Sequence, residues 1–324
     1  MFRILILTTV VTLCCVSFAA ALEVFYPADG TYINRSEVLV IKAGEGVDGL
    51  VVELNGESSD LIDISGEQYR AAFQDMLILR PEFDPGKNQI KVRAYKHGEK
   101  VAETEVKFFL RTDQLAPPPE GYRRFLMHVP EKEAACVACH NLNPTEADIS
   151  NPSPQKNPCV TCHRGLLRPK WTHGPAGAFE CGACHDLQNE KGRFRERKIN
   201  ADLCTECHQD IVEKYMQAEF VHGPVEAGLC NTCHDSHATP YRSQLVAETN
   251  QLCLGCHETI DDGIHVVRGV TGRPHPLSGP KDPNRPKRKF SCVSCHNPHG
   301  GKGRYYFVDG IKGRFALCQK CHRK

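Results

Sequence analysis

Between residues 16 and 135 the sequence contains no cysteine, although the 324-residue chain holds 18. That stretch has no disulfide staple and no thiolate metal site available to it, so hydrophobic packing must hold it together. Net charge is nearly absent too: 40 Lys+Arg stand against 39 Asp+Glu, giving +1. Residues 22–112 carry −5 and residues 113–324 carry +5. An excess that small, spread over more than 200 residues, gives no support to a nucleic-acid partner. Aromatic side chains are few, with Trp171 the single tryptophan. Beyond residue 21 no apolar run approaches the roughly 20 residues a helix needs to cross a bilayer. The one long uncharged run, ILILTTVVTLCCVSFAAA, follows Arg3 and ends in small residues. It reads as a signal peptide, residues 1–21, so the chain is expected to be exported, to the periplasm or the cell surface.

Residues 22–112 show short β-rich runs separated by Gly, Asp, Asn and Pro: EVFY, EVLVIKAG, LVVELNG, YRAAFQ, MLILR, NQIKVRAY and VAETEVKFFL. Seven such runs in about 90 residues predict an antiparallel all-β sandwich. The stretch DPGKNQIKVRAYKHGEKVAETEVKFFL resembles the last hairpin of immunoglobulin-like (Ig-like) modules. Three consecutive prolines in TDQLAPPPEG then mark residues 113–125 as a stiff linker.

From residue 126 to 324 the chain repeats. All 16 cysteines in this part form Cys-x-x-Cys pairs, and histidine follows every pair at once. Four two-motif units begin at His128, His173, His222 and His275. In the first three, the leading histidine lies 12 residues before the first motif's histidine, and the second motif's histidine lies 23 further on. In the fourth, a basic insert, KDPNRPKRK, lengthens the first interval to 21 and the second becomes 26.

CxxCH is the attachment signature of c-type haem. Two thiols on one helical turn reach the two vinyl groups of one porphyrin, and the adjacent imidazole is placed to bind its iron. Zinc would combine two Cys pairs per metal without a histidine after each. Structural disulfides impose no histidine either, and thioredoxin-like redox pairs need a βαβ frame that this pattern lacks. The expectation is eight covalent haem c groups. Their thioethers would come from Cys136, Cys139, Cys159, Cys162, Cys181, Cys184, Cys204, Cys207, Cys230, Cys233, Cys253, Cys256, Cys292, Cys295, Cys318 and Cys321. Their proximal ligands would be His140, His163, His185, His208, His234, His257, His296 and His322.

Six-coordinate irons need a second strong ligand each. Candidates are the leading His128, His173, His222 and His275, then His237 and His299 in CHDSH and CHNPH, and His265 in the insert GIHVVRG. A histidine three residues past a proximal one cannot circle to the far face of the same iron, so His237 and His299 must serve neighbouring haems. The first two units carry Asn143 and Gln188 at the equivalent place. Seven candidates therefore face eight irons. His97, a methionine such as Met127 or Met216, or an open position completes the count.

HGPVEAGLCNTCHDSH with CLGCH, and HPLSGPKDP with SCVSCHNPHG, resemble the doubled CxxCH family of multihaem cytochromes c. The resemblance covers residues 128–324 and implies a haem-packed domain of short helices and irregular chain. It also implies a non-enzymatic electron carrier with mostly bis-histidine haems in anaerobic or extracellular respiration. Expected partners are redox proteins: other cytochromes, an outer-membrane conduit or a terminal acceptor. Self-assembly into filaments through the β-domain is one alternative. The other is an octahaem reductase of nitrite, hydroxylamine or tetrathionate with one open iron; the CxxCK motif often found in such enzymes does not occur here.

Overall fold

The computed structural model describes residues 22–34, 38–113, 116–189, 192–260, 265–267, 272 and 274–322. The segment read as a signal peptide lies outside them. The chain divides into two compact units, one ending at Thr112 but including Pro118–Phe125, the other holding Asp113–Pro117 and everything from Leu126. Among the described residues no helix is long and apolar enough to cross a membrane.

The first unit is built from β1 (Glu23–Tyr26), β2 (Thr31–Ile33), β3 (Leu39–Lys42), β4 (Gly49–Leu54), β5 (Glu57–Ser58), β6 (Ile62–Asp63), β7 (Met76–Leu79), β8 (Gly86–Lys96), β9 (Glu99–Leu110) and β10 (Arg123–Arg124). One sheet runs β1-β3-β7 and the other β10-β2-β9-β8-β4-β5, with β6 also on β4. Strand periodicity explains the sandwich. In β8, Ile90, Val92 and Ala94 are fully buried. Between them Lys91 and Arg93 turn outward to Glu53, Glu103 and Glu105, as side chains alternating across a pleat must. At the hairpin tip His97 and Gly98 both take positive φ, 52° and 82°, which suits a two-residue turn between twisted strands. Residues 118–125, inside the segment read as a linker, belong to this unit: β10 pairs in parallel with β2.

One sequence expectation is corrected here. YRAAFQ is not a strand; Glu67–Phe73 form a helix, α1. Ala71, Ala72, Gln68 and Arg70 are good helix formers, and Glu67 places negative charge at the helix start. Four short strands, β2, β5, β6 and β10, were not anticipated; each spans two or three residues, too few for a periodic pattern to register.

Phe108 is fully buried in the sandwich core and meets Phe83 edge-on, 5.0 Å between centroids. Phe108→Ala is expected to destabilise this unit by about 3–5 kcal/mol. Hydrogen exchange of the β8 and β9 amides in the full chain, run through a denaturant series, measures it.

The second unit is organised differently. Of the buried apolar residues, 17 lie in the first unit and five here: Ile149, Val160, Ala238, Ala247 and Phe307. Short helices and 3₁₀ turns alternate with irregular chain; the exception is the 17-residue helix Asn200–Met216, kinked at His208. Four two-residue strands tie distant segments together. β11 (Trp171–Thr172) pairs with β13 (Ala238–Thr239), and β12 (Phe220–Val221) pairs with β14 (Gly300–Gly301). Each pair joins the start of one sequence unit to the middle of the next.

Candidate haem-binding sites

Every CxxCH forms a single turn. The histidine N–H donates to the carbonyl of the first cysteine in the motifs at Cys136, Cys181, Cys230, Cys253, Cys292 and Cys318, at 2.9–3.0 Å. The motifs at Cys159 and Cys204 lie inside helices. One turn carries both thiols and the imidazole on the same face, which is what attachment of one porphyrin requires.

The candidate distal histidines face them. Ring centroids of His128 and His163 are 6.1 Å apart, His173 and His208 6.0 Å, His185 and His237 6.0 Å, and His222 and His257 6.1 Å. His234 and His299 are 6.1 Å apart, His265 and His296 5.8 Å, and His275 and His322 6.2 Å. Imidazole nitrogens bind metals at about 2.0 Å, so two rings on opposite faces of one ion have centroids about 6 Å apart. The seven pairs match that separation. They also obey a rule. Each leading histidine faces the second motif of its own unit, and each trailing histidine faces the first motif of the unit before.

The strands explain the rule. His173 N–H donates to the His237 carbonyl at 2.8 Å, directly beyond the β11–β13 pair, and His222 N–H to the His299 carbonyl at 3.3 Å, beyond β12–β14. Each ladder therefore brings one unit's trailing histidine beside the leading histidine of the unit before. In the fourth unit the first motif's His296 is faced by His265 of the insert. His97 lies in the β-unit, where its backbone N–H donates to Asp48 Oδ2 at 2.6 Å and its ring is exposed.

Hydrogen bonds set the ring tautomers. Nδ1–H of His185, His234 and His296 donates to the carbonyls nine residues on, of Phe194, Ser243 and Tyr305, at 2.8, 2.8 and 2.6 Å. His275 donates to the Pro276 carbonyl at 2.9 Å and His128 to the Glu133 carboxylate at 3.0 Å. A donor at Nδ1 leaves the Nε2 lone pair free for a metal and raises ligand basicity. Burial disfavours the charged imidazolium. It pushes His163 down to about 4, helped by nearby His128, His185 and His237, and it lowers His173, His222, His265 and His299. These rings are neutral at pH 7, the state that binds iron. The composition of sequence neighbours gave no sign of Glu133 or the three carbonyls; the nine-residue offset repeated in three units was the available signal.

The motifs also lie near one another in order. Within units, Cys136 is near Cys162, Cys184 near Cys207, Cys233 near Cys256, and Cys295 near Cys321. Between units, Cys159 is near Cys181, Cys204 near Cys230, and Cys253 near Cys292. The eight attachment points thus follow one another in chain order.

The residues fit haem c. Apart from the five buried apolar side chains, this unit of about 200 residues has no side-chain core among the described residues, so the flat apolar faces of porphyrins are the surface around which it can condense. Zinc does not fit: no group of three or more His, Cys, Asp or Glu converges as a metal site among the described residues.

Residues 173–213, 222–262 and 285–324 match the family model of the doubled CXXCH motif. The first pair of motifs lies outside these stretches. Among solved structures, fibronectin(III)-like modules of Clostridium thermocellum CbhA are similar at 17% identity, over 28% of this chain and 95% of that chain, with a TM-score of 0.20. No curated protein matches the chain. Behind an N-terminal β-sandwich the chain thus holds three stretches that match the doubled CXXCH motif, a pattern consistent with a multihaem c-type cytochrome.

Proposed function

We propose that this protein is an exported octahaem electron carrier in anaerobic or extracellular respiration, in which single electrons pass along eight haems in chain order from the Cys136 motif to the Cys318 motif. The seven imidazole pairs at 5.8–6.2 Å carry this reading. Paired imidazoles favour lower potentials than a histidine–methionine pair would. Haem supplies the redox chemistry; the chain's own residues space, orient and tune it. Backbone ladders hold successive imidazole pairs side by side, and Nδ1 hydrogen bonds fix the rings of His128, His185, His234, His275 and His296 against rotation.

The nearness of successive attachment cysteines supports a linear order without branches. Donor and acceptor would then exchange electrons at the two ends, through redox proteins that dock there. The β-sandwich is the natural docking or assembly module, since it contributes none of the seven imidazole pairs.

Mass spectrometry of the mature protein is expected to show eight haems, with every CxxCH peptide modified and residues 1–21 removed. A lower haem number would overturn the octahaem reading. A high-spin majority in the paramagnetic resonance spectrum of the oxidised protein would overturn bis-histidine ligation.

A further inference from the structure

The pairing rule leaves one proximal histidine over. Among the described residues His140 faces no second imidazole. By the rule its partner should be the trailing residue of the second unit, as His237 is for His185 and His299 for His234. That residue is Gln188. Asn143, the trailing residue of the first unit, has no preceding unit to serve, so no histidine is needed there.

We propose that the haem on Cys136, Cys139 and His140, the first of the chain, keeps its sixth coordination position open to a small exogenous ligand, with the Gln188 carboxamide beside it. This rests on the octahaem reading above. Gln188 has the local conformation of the trailing histidines: its N–H donates to Asp186 Oδ1 at 3.1 Å, as His237 does to Asp235 at 2.8 Å and His299 to Asn297 at 3.2 Å. The loop that follows it lies on the first unit. Arg193 donates to the Glu133 carboxylate, to the Leu142 carbonyl and to Asn143 Oδ1, bracketing the Cys136–His140 motif, and Phe194 meets His128 edge-on at 4.6 Å. The second unit therefore closes on the first where the rule requires.

Met216 is placed at another site. Met216 follows Tyr215, whose ring packs on His299 at 4.6 Å and so belongs to the third unit's first site. A carboxamide is a far weaker ligand for iron than imidazole, but its N–H can donate to a ligand already bound. The ligands that fit are small ones, carbon monoxide or nitric oxide on the ferrous state and cyanide or nitrite on the ferric.

Titration of the reduced full-length protein with carbon monoxide tests this, alongside paramagnetic resonance of the oxidised protein. Expected are one carbon monoxide per eight haems and one high-spin signal. Gln188→His should abolish both while all eight haems remain. Gln188→Ala should keep one carbon monoxide per protein but release it about fivefold faster, the loss of one hydrogen bond. Wild-type protein that carries eight haems and takes up no carbon monoxide would overturn the proposal and leave the octahaem reading intact. So would a near-infrared band of methionine ligation that disappears in Met127→Ala. An unmodified Cys136–Cys139 peptide would overturn both. Unchanged release from Gln188→Ala would remove Gln188 from the site.

Discussion

His237→Gln is expected to turn the iron held by His185 high-spin, and to raise carbon monoxide uptake of the reduced protein from one to two per molecule at an unchanged eight haems. The expectation comes from the pair itself, two rings 6.0 Å apart and only 19° from parallel. It also comes from what the substitution spares. The His237 carbonyl accepts the His173 N–H and its own N–H binds Asp235; both are backbone groups that glutamine keeps. The ladder between β11 and β13 should persist, and only the ligand is lost. Replacing an imidazole by a carboxamide also raises the potential of that haem, because the electron-rich ligand stabilises the ferric state. Low-spin spectra in His237→Gln would mean that His185 finds another partner, and would undo the pairing rule on which the assignment of Gln188 depends.

The sequence made the attachment sites readable because covalent haem attachment leaves a local signature, two thiols and an imidazole within five residues. It also exposed the leading histidines, since a duplicated unit keeps its register. Which iron each histidine serves was not readable in the same way. The trailing histidines are positioned by β11–β13 and β12–β14, two-residue ladders between segments more than 60 residues apart, and two residues are too few to show any period. That a trailing histidine must serve a neighbouring haem follows from chain geometry; that the neighbour is the preceding unit's first haem needed those ladders. The difference at Asn143 and Gln188 looked alike in both units and has two separate origins. In the β-unit, the long strands β8 and β9 stood out by alternation, whereas the short apolar run around Tyr69 fits a helix turn as well as a strand, and Ala71 and Ala72 decide for helix.

Asn157→Ala is expected to lower the stability of the haem-bearing unit by about 3–5 kcal/mol, seen as earlier loss of Soret dichroism in denaturant. Asn157 is 1% exposed. Its Nδ2 donates to the carbonyls of Ile149, Asn151 and Phe179 at 3.1, 3.2 and 2.9 Å, and its Oδ1 accepts the Cys159 N–H at 3.1 Å. Alanine would take the amide donor from those carbonyls and would uncap the helix Pro158–His163 that carries the second motif. Each lost partner costs roughly 1–3 kcal/mol, with less than full additivity because the groups share one cavity. The same side chain spans a junction between units. Phe179 stands two residues before Cys181, which lies near Cys159, so the second and third motifs would lose their spacer together with the stability. Asn250 works similarly one junction from the end, with Nδ2 on the Leu277 carbonyl and Oδ1 accepting the Cys292 N–H, both at 2.9 Å. It makes fewer bonds and is only half-buried, so Asn250→Ala should cost about 1–2 kcal/mol. An equal cost at the two sites would mean that the bridging of two units, which both side chains perform, and not the deeper burial of the Asn157 amide, sets the effect.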